Sequence, residues 1–124
     1  MSAYDSQLSI ISAMKDWRAE IQEEFERAEG ARARGNEGQA RVCARRAAGV
    51  AAREYLTRQG EKVSTSSAYD LLTLLKEDPR LTPDLKRMAE YFTLRVNEDF
   101  KLPVDVDLIA EAKRFCEELL KIDP

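Results

Sequence analysis

Histidine does not occur in this chain. It is the one side chain whose unperturbed pKa lies near neutral pH. Its absence excludes Ser-His and Cys-His nucleophile pairs, His-x-x-x-His zinc sites and imidazole general acids together. Cysteine is scarce, with Cys43 and Cys116 the only two. One pair makes no disulfide framework, and both sit in helix-patterned segments, where they read as buried thiols of a reducing cytoplasm. Five glycines and four prolines form no glycine-rich phosphate loop, and neither Cys-x-x-Cys nor Gly-x-Ser-x-Gly is found. No apolar run approaches the ~20 residues that span a bilayer, so no membrane association is expected. Met1 to Lys15 carries Asp5 and has no basic stretch ahead of an apolar one, so it does not read as a signal peptide.

What is present suits one helical domain over residues 1–124. Hydrophobic residues at 44% and charged residues at 35% belong to a folded, well-solvated chain rather than a disordered one. A domain of this size buries roughly two-thirds of its unfolded surface, enough for stability without disulfides or metal. The net charge of −3 hides an asymmetry. Between Ala31 and Lys62 eight basic residues stand against Glu37, Glu54 and Glu61, a local balance of +5 that leaves −8 for the rest. This basic stretch is either a face for an acidic partner or a helix lying beside an acidic one.

Helical periodicity runs almost throughout, and no sustained alternation marks a strand. The first helix is expected over about 6–34, with Ile11, Met14, Trp17, Ile21, Phe25 and Ala28 as its apolar stripe and Glu20, Glu23, Glu24 and Arg27 on the opposite face. Gly35-Asn36 stops it. The second spans about 37–58, with Ala40, Cys43, Ala44, Ala47, Val50, Ala51 and Tyr55 inward, small residues that allow close approach of a neighbouring helix. Gly60 ends it. A short helix over about 67–77 follows a cap at Thr65, Ser66 or Ser67, has Leu71, Leu72, Leu74 and Leu75 crowded around it, and stops before Pro79. Thr82-Pro83-Asp84 starts a fourth, expected over about 83–98 with Leu85, Met88, Ala89, Phe92 and Leu94 or Arg95 setting its face. Asp105 or Asp107 caps the last, about 106–121, with Leu108, Ala112, Phe115, Cys116, Leu119 and Leu120 as its stripe. Short loops between amphipathic helices imply antiparallel neighbours, hence an all-α, up-down four-helix bundle with an additional short helix.

The order of these pieces resembles a known family. Trp17 to Gly60, with Gln39-Ala40-x-x-x-Ala44-Arg45-Arg46-Ala47-Ala48 leading to Tyr55-Leu56, is similar to the first helical hairpin of HEPN domains (higher eukaryotes and prokaryotes nucleotide-binding). Tyr69-Asp70-Leu71-Leu72-x-Leu74-Leu75 resembles their short third helix, and Val106 to Leu120 their closing helix. Leu94-Arg95-Val96-Asn97-Glu98-Asp99 followed by Pro103 resembles the segment around their Arg-Tyr-Pro-Asp turn. The likeness covers about Lys15 to Ile122. It implies an antiparallel bundle, often a homodimer, working with RNA or with nucleotidyltransferase-like partner proteins. Active members are ribonucleases with an Arg-x(4–6)-His motif. Here Arg95 takes the arginine place and Asn97 a polar position after it, but the histidine place falls on Phe100, Lys101 or Leu102, none of which replaces imidazole.

The candidate residues follow. Arg95, with Asn97, is the best placed to hold an oxyanion or phosphate; otherwise it pairs with Glu98, Asp99 or Glu90 in its own helix. Arg41 and Arg45 share a helical face (i, i+4), and with Arg46 and Arg53 could hold RNA phosphates, although no aromatic residue is interleaved to stack bases. Glu20, Glu23, Glu24 and Glu26, or Asp105, Asp107 and Glu111, read as solvated carboxylates rather than metal ligands. Trp17, Tyr55, Phe92 and Phe115 read as core. The expectation is a cytoplasmic, non-catalytic HEPN-like module without cofactor or metal, a homodimer that binds a partner protein (a nucleotidyltransferase-like one), a nucleotide or RNA. The alternatives are a divergent ribonuclease toxin using Arg95 with Asn97 or Asp99, and a generic helical adaptor.

Overall fold

The computed structural model describes residues 16–94 and 105–122. Among them are five α-helices and no strand: α1 (Trp17–Ala33), α2 (Glu37–Arg58), α3 (Ala68–Lys76), α4 (Pro83–Thr93) and α5 (Leu108–Leu119). Expected helical positions 6–15 lie outside the described residues. None of the described helices is long and apolar enough to cross a membrane.

Each helix starts where a short polar side chain accepts a hydrogen bond from an otherwise unpaired amide of the first turn. Asp16 accepts from Arg18 N–H at 3.0 Å and Asn36 from Gln39 N–H at 3.1 Å. Ser67 accepts from Asp70 N–H at 3.3 Å and Thr82 from Leu85 N–H at 3.2 Å. Asp107 accepts from Ile109 and Ala110 N–H at 3.1 and 3.3 Å. Of the caps left open between neighbours, Ser67 and Asp107 are therefore the ones used, and α5 begins at Leu108.

Two helices end in Schellman turns, in which a residue with positive φ lets the chain double back onto the last carbonyls. Gly35 has φ of 78°, and the N–H groups of Gly35 and Asn36 donate to Arg32 and Ala31 carbonyls at 2.9 and 2.8 Å. Gly60 has φ of 82°, and the N–H groups of Gly60 and Glu61 donate to Thr57 and Leu56 carbonyls, both at 3.0 Å.

Helix α2 is the hub, packed on α1, α3 and α5 and touching α4. That position explains its composition. Ala40, Cys43, Ala44, Ala47, Ala48, Gly49, Ala51, Ala52, Tyr55 and Leu56 are all buried, a wider face than a single stripe. Neighbours on several sides leave room only for small side chains. The closest approach is at Gly49, where a Cβ atom would lie 2.6 Å from Ala68 Cβ on α3. Buried residues from all five helices, with Leu81, form one hydrophobic cluster. Phe92 of α4 meets Phe115 of α5 edge-on, ring centroids 5.4 Å apart.

Two expectations are corrected. Helix α4 ends at Thr93, and Leu94, expected to set its face, is extended with ψ of 143°; the expected helical positions 95–98 lie outside the described residues. Arg45 Nε of α2 donates to the Phe92 carbonyl in the last turn of α4, at 2.6 Å. Trp17 is half-buried rather than core, lying at the end of α1 beneath the guanidinium groups of Arg18 and Arg58, 4.4 and 5.3 Å from the ring centroid. Of the four leucines crowded around α3, Leu71, Leu72 and Leu75 are buried and Leu74 is 51% exposed.

Candidate functional site

An open groove of about 500 Å³ runs where α1, α2 and the start of α3 meet. Its α2 wall carries Arg45, Arg46 and Arg53, its α1 wall Glu20 and Glu24, and its third side Ser66, Ser67 and Ala68. Helical geometry puts them there. Arg46 and Arg53 are seven residues apart, two turns of α2, with Gly49 between them packed against Ala68. Glu20 and Glu24 are one turn apart on α1.

The three arginines are not equivalent. Arg45 is half-buried and tethered through Nε to the Phe92 carbonyl, and burial lowers its pKa from the usual arginine value without discharging it. Arg46 is exposed and Arg53 intermediate. Glu24 is mostly buried, its side chain 15% exposed, with Oε2 3.5 Å from Arg27 Nη1. Its other oxygen, Oε1, is buried with no hydrogen-bond partner among the described residues. The expected solvated carboxylate is thus a largely enclosed one. No ion pair joins Glu20 or Glu24 to Arg45, Arg46 or Arg53, although all five line the same groove.

Arg41 does not reach this groove. It is half-buried one turn earlier on α2, beside Glu37, whose carboxylate is taken up by Arg32 at 2.7 Å. Arg32 also meets Asp107 at 3.0 Å, tying the α1–α2 turn to the start of α5. The Glu37 bond holds Arg32 above the ordinary arginine value. Arg95, Asn97 and Asp99 lie outside the described residues, as do Phe100, Lys101 and Leu102. Leu94, the residue before Arg95, lies two residues beyond the carbonyl that Arg45 holds. Among the described residues no three carboxylates or cysteines stand close enough together to hold a metal ion.

A second hollow, of about 470 Å³, is lined by Leu56, Val63, Leu74, Asp78, Pro79 and Arg80 among others. The Asp78 carboxylate is buried, gripped at both oxygens by Arg80 at 2.9 and 2.7 Å. The Arg80 bonds hold it below the usual carboxylate range against the opposing effect of burial. Arg80 also reaches Gln59 and Glu61, so this cluster fastens the α3–α4 turn to the end of α2. Sequence reading missed it, since Asp78-Pro79-Arg80 looks like any exposed turn. It likewise missed Ser66 and Ser67 as groove residues, which only the docking of α3 on Gly49 brings there.

Cys43 and Cys116 are free and buried. Burial pushes the Cys116 thiol up to about 12, which makes it a poor nucleophile. No protein-family model matches the chain, and no curated protein and no solved structure was found to be similar to it.

Proposed function

We propose that this chain is a non-catalytic, HEPN-like helical module, an antiparallel bundle acting as a homodimer, that binds the phosphates of a nucleotide or RNA in the groove on α2. The observation that carries the reading is the convergence of Arg45, Arg46 and Arg53 on one open groove. Guanidinium groups stay charged at every physiological pH and match phosphate oxygens in pairs. The volume of about 500 Å³ lies within the range of small-ligand sites. A chain without histidine has no ordinary neutral-pH proton shuttle, which favours binding over cleavage.

Fluorescence anisotropy with labelled single-stranded RNA and with nucleotides tests this. Arg46→Glu with Arg53→Glu is expected to weaken binding at least tenfold, while Arg41→Glu changes it little, and binding should fall as salt rises. Unchanged binding by the double variant removes the groove from consideration. If purified protein cleaves the RNA and Arg95→Ala stops it, the divergent ribonuclease toxin replaces the non-catalytic reading. A chain that stays monomeric at high concentration removes the homodimer.

A second reading has its own observation. Tyr69 and Leu74 are 45% and 51% exposed on α3, Leu74 lining the second hollow. Exposed aromatic and aliphatic side chains on one short helix suit a protein partner, such as a nucleotidyltransferase-like one. Tyr69→Ala with Leu74→Ala would abolish such an interaction and leave RNA binding untouched.

A further inference from the structure

We infer that Arg45 anchors the phosphate in the α2 groove and, through its bond to the Phe92 carbonyl, makes the end of α4 firmer whenever the groove is occupied; this rests on the phosphate-binding reading above. Arginine carries one donor on Nε and two on each terminal nitrogen. In Arg45 the Nε donor is taken up by the Phe92 carbonyl at 2.6 Å. Its terminal nitrogens, Nη1 and Nη2, make no hydrogen bond among the described residues. Neither is enclosed, since the buried polar side-chain atoms without a partner are on Glu24, Tyr55 and Gln59. Both are therefore unpaired and open to whatever enters the groove that Arg45 lines.

Arg45 differs from the arginines that tie the bundle together. Arg32 has Glu37 and Asp107, Arg58 has Glu54, and Arg80 has Asp78 and Glu61. Among the described residues no carboxylate pairs with Arg45, and burial acts on its charge without a counter-ion to offset it. Such a cation gains most from an anion brought from outside. It is also pre-organised. The Nε bond fixes the guanidinium plane, so its paired terminal donors meet phosphate oxygens with little further ordering. Exposed Arg46 has no such tether among the described residues. A phosphate on Nη1 and Nη2 in turn holds the plane against Phe92. Ligand and the last turn of α4 then stabilise one another, as linkage requires.

The test is amide hydrogen exchange of the purified full chain, read by mass spectrometry with and without saturating single-stranded RNA and, in parallel, AMP. Amides in the last turn of α4 are expected to exchange about fivefold more slowly with ligand bound, while those around the Asp78–Arg80 turn stay as they were. Arg45→Lys keeps the charge but has no planar fork with which to hold a carbonyl and a phosphate at once. It should weaken binding about tenfold and abolish the slowing in α4, whereas Arg46→Lys should change binding only about twofold and keep it. Ligand that binds without altering α4, or that slows all five helices alike, overturns the coupling and leaves phosphate binding standing. Undiminished affinity in Arg45→Lys overturns the anchor. If neither RNA nor AMP binds, this inference and the phosphate-binding reading fall together. The exchange comparison uses the unaltered chain, so it decides the matter even if Arg45→Lys does not fold.

Discussion

Arg45 of α2 reaches across the core boundary and donates from Nε to the carbonyl of Phe92, 47 residues away in sequence, at 2.6 Å. The bond joins the groove to the end of α4. Thr93 Oγ1 donates to Glu90 at 2.8 Å and Lys76 to Thr93 at 3.2 Å, so the last turn of α4 is held by its side chains as well.

Replacing Arg45 by methionine keeps the apolar stem and removes the donor. A hydrogen bond from a charged group contributes about 1.5–3 kcal/mol, and the loss should appear as a lowered midpoint in urea or thermal unfolding. A midpoint equal to that of the wild type would mean that the Phe92 carbonyl finds another donor at no cost.

Glycine 49 and glycine 30 make a matched pair. Gly49→Ala would place its Cβ 2.6 Å from Ala68 Cβ and 2.9 Å from Ala68 Cα, an approach that forces α3 away. The expected cost is about 1–3 kcal/mol, as for overpacking elsewhere. At Gly30 the nearest atom is the flexible Arg34 Nη1, at 3.4 Å. Alanine is accommodated there and should stabilise α1 by about 0.5–1 kcal/mol. Chemical denaturation of the two variants should move in opposite directions.

Acid should destabilise the fold through its paired carboxylates. Asp78 and Glu37 are held below their usual range chiefly by Arg80 and Arg32. Burial works to raise Asp107, but the Ala110 amide and Arg32 outweigh it. The unfolded chain therefore binds more protons than the folded one as pH falls, and stability drops in step. The contribution is complete above the unfolded carboxylate values of about 4 and is lost as pH falls through the lower folded ones. Asp78, its side chain only 4% exposed, should dominate. Asp78→Asn should lower stability at neutral pH and flatten the acid limb of a stability–pH curve. An unchanged limb would assign the acid sensitivity to other groups.

Thiol chemistry offers a readout of local opening. With the Cys116 thiol pushed up to about 12 and buried, alkylation at mildly alkaline pH should be slow in the native state and rapid in denaturant. Fast modification of native protein would show that α5 opens readily. Trp17 beneath Arg58 reports on the same end of the molecule by its fluorescence.

Legibility in the sequence depended on range. Gly35, Gly60, Asn36, Thr82 and Asp107 act on atoms within a few residues, so the turns and most helix boundaries could be read directly. The apolar stripe of α5 was equally plain, as Leu108, Ala112, Phe115, Cys116 and Leu119 are all buried. Trp17 was misjudged because periodicity says which face is apolar, not how far along a helix a neighbour extends. Of the arginine set, Arg41 and Arg45 share a face of α2, yet Arg45 joins Arg46 and Arg53 in the groove and Arg41 does not. The α1 and α3 walls decide which guanidinium groups share a space, and no pattern within α2 contains them.

What the sequence determined alone is what forms by contact between near neighbours: the helices of the described residues, their caps and their glycine turns, along with the absence of imidazole chemistry. What tertiary structure decided is what needs groups far apart in the chain to meet. The tie between α2 and the end of α4 comes from Arg45, the groove from α1, α2 and the start of α3 meeting, and the link from the Asp78–Arg80 pair to Gln59 from the end of α2 lying near the turn. The physical reason is the same in each case. A hydrogen bond or a desolvated charge takes its energy from what surrounds it, and only packing brings those surroundings together.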